Sequence, residues 1–301
     1  MGRGRRGRSA VLWVVSFVLM FAAASYQRRT GPTYEYSGEV TVDGRSYPYA
    51  LLRSEETTRD ARIAVPMPGN GATGEVFVRR YPTDDPFTPL QMQEEPADGG
   101  VELVAYLPAQ PSAGKLEYYV ELHTADGVKR IPPAGGPGQE PTIVMRYKDP
   151  VPLPVLLAHV IVMFFSMLIG VRAAFAALAD EDSVAKLSWV TLGGLALGGL
   201  ILGPVVQKYA FGAFWTGFPW GYDLTDNKTL IMWLVWAVAC AILWAVRRRP
   251  RPGTVARGAV VVAAVVTVGV YLVPHSLRGS QLDYGQMDQG VSAPEAIQTG
   301  G

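Results

Sequence analysis

The side chains with the most chemistry to offer are two histidines and one crowded aromatic run. The run is Phe211-Gly-Ala-Phe-Trp-Thr-Gly-Phe-Pro-Trp-Gly-Tyr-Asp-Leu-Thr-Asp-Asn-Lys-Thr229; the histidines are His159 and His275. Phe211, Phe214, Trp215, Phe218, Trp220 and Tyr222 share this short connection between apolar stretches. Apolar surface left in water costs roughly 25 cal/mol per Å². The loop is therefore expected to fold over lipid headgroups, over its own helices or over a flat apolar ligand. Trp and Tyr also gather at membrane interfaces, which accounts for part of the aromatic content without any ligand. An imidazole inside a membrane span is costly and usually functional; the plainer readings are an interfacial His275 and a His159 bonded to a neighbouring helix. Asp223-Leu-Thr-Asp226 has the pattern of a helix start, with Asp226 or Thr225 as the cap. Asp223, beside Tyr222, is then the better candidate for ligand contact.

The elements that must position these residues are membrane spans. The chain is 49% hydrophobic yet 18% charged, too apolar for an ordinary soluble domain and too charged for a bare bundle. Five apolar stretches separate the two characters: 10–25, 153–178, 187–206, 230–246 and 259–273. Each approaches the length that crosses a hydrocarbon core of about 30 Å. The first follows Arg3, Arg5, Arg6 and Arg8 and reads as an uncleaved anchor, with Ala22-Ala23-Ala24 leaving a cleaved signal peptide open. The basic start, Arg172, Lys186 and the run Arg247 to Arg257 fall on one side, so the positive-inside tendency puts the N-terminus in the cytoplasm. The aromatic loop 207–229, residues 27–150 and the tail then lie outside. Arg172 is expected to snorkel to the interface. Gly193-Gly194, Gly198-Gly199 and Gly203 are expected to form a close helix-packing seam.

Residues 27–150 read as all-β. Short runs begin at Tyr34, Tyr47, Ala61, Glu75, Val101, Lys115 and Thr142, punctuated by Asp43-Gly44, Gly99-Gly100 and Asp126-Gly127. About seven strands over such a length is the arithmetic of a β-sandwich. His123 has no second histidine or cysteine at ligand spacing and reads as a strand-surface residue. Arg79-Arg80 read as a solvated face. Cys240 is the single cysteine, so no disulfide or CxxC pair forms within the chain. A net charge of +1 leaves no surplus for phosphates and argues against nucleic acid. No GxSxG, HExxH or Walker A pattern is present, and nothing marks the chain as an enzyme.

Two resemblances add to this reading. Gly114-Lys-Leu-Glu-Tyr-Tyr-Val-Glu-Leu-His-Thr-Ala-Asp-Gly127 resembles the late hairpin of fibronectin type III or immunoglobulin-like domains, which implies such a sandwich for 35–148. Gly212-Ala-Phe-Trp215 and Tyr222-Asp223-Leu-Thr-Asp226-Asn-Lys-Thr-Leu230-Ile231-Met-Trp233 resemble the tryptophan-rich WWD segment of the haem-handling membrane proteins that assemble c-type cytochromes. Phe211 and Lys228 stand where that pattern has Trp, Leu224 replaces its Pro, and Gly217 to Gly221 are extra. The resemblance implies an outward loop covering the porphyrin face with Trp215, Trp220, Tyr222 and Asp223. It also implies histidines at the outer ends of flanking spans as axial ligands to haem iron, positions that His159 and His275 match.

The whole is therefore expected to be a membrane α-helical bundle of about five spans with an extracytoplasmic all-β sandwich inserted between spans 1 and 2. Its parts are a basic start 1–9, an anchor 10–26, the β domain 27–150, a four-span domain 151–275 and a flexible outer tail 276–301. The expected location is the inner membrane, the cofactor haem, and the partners the bilayer and a cytochrome or other membrane-complex subunits. The other class open to this sequence is a non-catalytic scaffold or accessory subunit that docks a partner through its sandwich.

Overall fold

Among the described residues, five helices or helix stacks are long and apolar enough to cross a membrane: Gly7–Thr30, Leu153–Leu178, Val184–Phe211, Leu224–Ala245 and Thr254–Leu272. The computed structural model describes residues 2–68, 71–97, 100–135, 141–249, 251–275 and 279–299. The chain divides into a helical unit, Met1–Gly31, Val151–Gly279 and Thr299–Gly301, and a strand unit, Pro32–Pro150 and Ser280–Gln298.

The helical unit contains α1 (Gly2–Thr30), α2 (Leu153–Leu178), α3 (Val184–Leu195), a π-helical segment (Ala196–Leu202), α4 (Gly203–Phe211), α5 (Leu224–Ala245) and α6 (Thr254–Leu272). Hydropathy alone misplaces several ends. The third stretch runs from Val184 to Phe211 because α3, the π segment and α4 stack end to end. The fourth begins at Leu224, six residues before its apolar run, because its polar first turn is capped and buried. Trp236 lies at the centre of the bundle core, fully buried, with its indole N–H donating to Thr267 Oγ1 at 2.9 Å. Gly170 lets that ring approach: an added Cβ would stand 2.9 Å from the indole. On the glycine seam, an added Cβ at Gly194 would meet Ser166, at Gly198 Met163 and at Gly199 Thr229, whereas Gly193 faces nothing within 4 Å.

Helix α1 is a member of this core rather than a bystander. Ser16, Met20 and Ala23 are buried, and α1 packs on α2 and α6. Arg172 departs from the snorkelling expected of it. Its side chain is only 2% accessible, bound to Glu181 at 2.6 Å, to Ser9 Oγ at 3.0 Å and over the Trp13 ring at 5.6 Å. Glu181 and α1 supply counter-charge and cover, although Nε and Nη1 of the guanidinium are left without hydrogen-bond partners. Arg8 donates to the carbonyl of Ala179, and Arg257 pairs with Asp180 at 2.6 Å, gathering the charges at this end of the unit.

Among the described residues, the strand unit holds eleven strands between positions 36 and 148. They are β1 (Tyr36–Val42), β2 (Arg45–Leu51), β3 (Ser54–Glu56), β4 (Ala61–Met67), β5 (Thr73–Arg80), β6 (Thr88–Gln91), β7 (Gln93–Ala97), β8 (Gly100–Leu107), β9 (Lys115–Thr124), β10 (Gly127–Ile131) and β11 (Ile143–Lys148). All seven runs expected from sequence are strands. The four others are short or polar, such as Ser54–Glu56 and Gln93–Ala97, and show no alternation to read. One sheet runs β3-β11-β9-β5-β6 with β10 also on β9; another runs β4-β8-β7; β1 and β2 form a hairpin. Its turn, Asp43-Gly44, has φ of 50° and 73°, the left-handed pair that a two-residue hairpin demands and glycine accepts readily. The β9–β10 hairpin turns at Asp126-Gly127 as expected; Gly99 lies outside the described residues. Alternation on β4 and β11 sends Ile63, Val65 and Met145 into one core shared by the three sheets. Elsewhere in this unit, His123 is exposed near Glu75, while Arg79 and Arg80 are paired, with Glu117 and with Asp85 and Asp288.

The tail is folded where flexibility was expected. Residues 280–299 form β12 (Ser280–Leu282), α7 (Tyr284–Asp288) and β13 (Ile297–Thr299). Tyr284 explains why so polar a segment is ordered. Its ring is buried, its hydroxyl accepts from the Lys115 amide at 3.1 Å, and Gln110 and the Lys115 carbonyl lie within 3.0 Å as acceptors. Tyr284→Phe strands that amide, and a buried donor left unpaired costs about 1–3 kcal/mol. The expected outcome is a lower denaturation midpoint for the purified protein in detergent.

Lys115 gives the strand unit a pH signature. Burial, with Arg146 nearby, lowers its ammonium pKa to about 8 from 10.5. Between those values the unfolded chain holds the extra proton, so stability rises with pH across that window, by up to ~3 kcal/mol. Burial raises the Tyr284 hydroxyl to about 12 from 10.0, so ionisation of the unfolded chain reverses the trend above about pH 10. Denaturation followed against pH should thus peak near pH 10, and Lys115→Met should remove the rising limb. A flat profile from pH 8 to 10 in the unmodified protein counts against a buried ammonium.

Candidate functional site

The sequence-predicted residues come from four elements, and the π-helical segment is what brings the first of them into place. A π turn bonds each amide to the carbonyl five residues back, and the Gly203 N–H reaches the Gly198 carbonyl in this way. That same carbonyl faces α2, where His159 Nδ1 meets it at 2.9 Å. A carbonyl oxygen only accepts, so Nδ1 carries the proton and Nε2 keeps its lone pair. The ring also lies against Gly203, where an added Cβ would stand in ordinary contact, 3.6 Å from its Cε1.

The aromatic loop is folded by its two carboxylates, and the cap expected of Asp226 or Thr225 falls to Asp223. Asp223 is the helix cap: its Oδ1 accepts from the amides of Thr225 at 2.8 Å and Asp226 at 3.2 Å. Asp226 reaches back instead to the Thr216 amide at 2.6 Å and its hydroxyl at 3.2 Å, and Gln207 donates to that hydroxyl. Asn227 accepts from the Phe218 amide at 2.7 Å. Gly217 permits the close approach, for an added Cβ would stand 2.6 Å from Asp226 Cβ. With the backbone tied inward, the aromatics turn outward. Trp220 is 79% and Tyr222 76% exposed, whereas Trp215 is half-buried and donates to the Phe218 carbonyl. The loop covers little of its own helices, which removes one of the three readings of its aromatic content.

His275 stands just past the end of α6; Ser276 beside it lies outside the described residues. Its Nδ1 is 3.4 Å from Lys228 Nζ, and its ring meets Tyr271 edge-on at 6.2 Å. Lys228, on the first turn of α5 and 3% exposed, also donates to the carbonyl of Val273 and so closes the C-terminal end of α6. His275 is exposed as a residue. Desolvation of its ring by the surrounding protein, then the Lys228 ammonium and then His159, hold its pKa below the usual histidine range, so it is neutral at physiological pH. His159 and His275 are thus within electrostatic reach of each other, and Asp223 of Lys228.

Neither a protein family nor a curated protein matches this chain.

Two participants escaped the sequence reading. Lys228 stood out only as a substitution in an aromatic pattern, although a charge near the start of a span is itself a signal of function. The π turn was foreshadowed by Gly198-Gly199 and Gly203-Pro204, helix-weakening residues in mid-span. Among the described residues no three His, Cys, Asp or Glu side chains converge to hold a metal ion. What the arrangement offers is one bare imidazole nitrogen, a second neutral imidazole, and an exposed aromatic rim.

Proposed function

We propose that this is an inner-membrane haem-handling protein related in function to cytochrome assembly, with its haem site built from His159, His275 and the aromatic loop. The observation that carries the reading is a pair of oriented imidazoles: His159 held by the Gly198 carbonyl, and His275 beside Lys228 of α5, whose preceding residues Asp226 and Asn227 anchor the loop. The donor chemistry fits the group. A ligating imidazole usually gives its other N–H to a carbonyl, and His159 does so toward Gly198. Bound there, haem would supply an iron centre for coordination or electron transfer. The chain's own part is to orient His159 through the π turn and to exclude water from the porphyrin face with Trp215, Trp220 and Tyr222. Asp223 contributes by fixing the start of α5 beneath Tyr222.

The basic residues of Arg247–Arg249, Arg251 and Arg257 support a cytoplasmic N-terminus, with the strand unit as an extracytoplasmic sandwich between spans 1 and 2. That sandwich would dock a cytochrome or another membrane subunit. The test is the visible spectrum of protein purified from haem-replete cells. A Soret band that copurifies at near one haem per chain is expected. Colourless protein that carries stoichiometric partner subunits instead would replace this reading with that of an accessory scaffold.

A further inference from the structure

The resemblance gives His159 and His275 the same role, but their hydrogen bonds do not. His159 Nδ1 faces an acceptor, so its Nε2 is bare. His275 Nδ1 faces the ammonium of Lys228, which has hydrogens to give and no lone pair to offer. His275 Nδ1 must therefore accept, and the proton of this neutral ring sits on Nε2. A nitrogen that carries a proton binds no metal, since metal ligands must present a lone pair. It is instead a hydrogen-bond donor, held in place by Tyr271 on one side and Lys228 on the other. The two imidazoles thus present opposite faces of the same chemistry: a lone pair from α2 and an N–H from the end of α6.

We propose that His159 is the only iron ligand of this site, and that His275 donates its Nε2–H to a carboxylate oxygen on the rim of the same ligand, a haem propionate. The inference rests on the haem-handling reading and deepens it. Porphyrin rims offer no other strong acceptor, and a neutral donor suits a cluster in which Asp223 already stands opposite Lys228. Lys228 acts as a positioning residue, because its hydrogen bond selects the His275 tautomer.

Ferric haem and its dimethyl ester, in which the propionates are masked, titrated into purified protein distinguish the roles. With haem, the unmodified protein should give a five-coordinate, high-spin spectrum. His159→Ala should lose iron coordination. His275→Ala should remain five-coordinate but bind haem about tenfold more weakly, the loss of one charge-assisted hydrogen bond. The dimethyl ester should bind the unmodified protein with that same weakened affinity, and His275→Ala should weaken it no further. A six-coordinate, low-spin spectrum that becomes five-coordinate in His275→Ala overturns the assignment while leaving the haem reading intact. If neither porphyrin binds the unmodified protein, the haem reading itself fails and this assignment falls with it.

Discussion

His159→Ala yields a folded protein without iron-bound pigment. The expected loss of haem affinity exceeds about 100-fold, the upper end of what is lost when merely a ligand's supporting partner is removed. Folding should survive because the imidazole is not what holds the π turn together: the Gly203 amide still occupies the Gly198 carbonyl. The control lies in the other unit, where His123 is solvent-facing and stands near Glu75. His123→Ala should leave the spectrum unchanged. Equal pigment in His159→Ala and unmodified protein would remove α2 from the site.

Glu181→Ala has the largest expected effect on stability. The guanidinium of Arg172 is buried, and Nε and Nη1 already lack partners. Removing its carboxylate leaves a charge in the bundle with, among the described residues, Ser9 Oγ and the Trp13 ring beside it. Breaking a buried pair from one side costs about 3–5 kcal/mol. At roughly 2–4 °C per kcal/mol, Tm measured in detergent should fall by ~10 °C. Glu181→Gln retains an acceptor and should lose less. The same geometry bears on the first helix. Cleavage near Ala22-Ala23-Ala24 would strip Ser9 and Trp13 from Arg172, so intact-mass analysis of the purified protein should find α1 retained. An unaltered Tm in Glu181→Ala would mean that water reaches this charge.

The parts of the fold visible in sequence are those set by local pattern. Long apolar runs gave the five helices, and period-two alternation with Asp-Gly turns gave the seven principal strands. What escaped was decided by partners far along the chain. The segment 280–298 is too polar to announce a fold, and it is ordered by one buried tyrosine against Lys115 and Gln110. Asp223 and Asp226 both sit near a helix start, and local spacing favoured Asp226 as the cap. Only the return of the chain at Thr216 shows why Asp226 is needed elsewhere. Arg172 looks like any arginine near a span end until Glu181 and Ser9 are brought to it. Within the site, the histidines and aromatics were legible as residue types, whereas the proton positions that separate His159 from His275 depend on Gly198 and Lys228.

The π-helical stretch Ala196–Leu202 also works as a phase setting for everything after it. A wider turn absorbs one residue more than an α-turn does, and each residue of an α-helix advances the chain by about 100°. Deleting a single residue there would remove the wider turn and leave α4 close to its present direction, because the π turn is what absorbs that residue. Keeping every residue but winding the stretch as plain α-helix would instead turn α4, and the loop that follows it, by about 100° around the axis of the stack. In this protein, direction is written into a count of residues as much as into their identities.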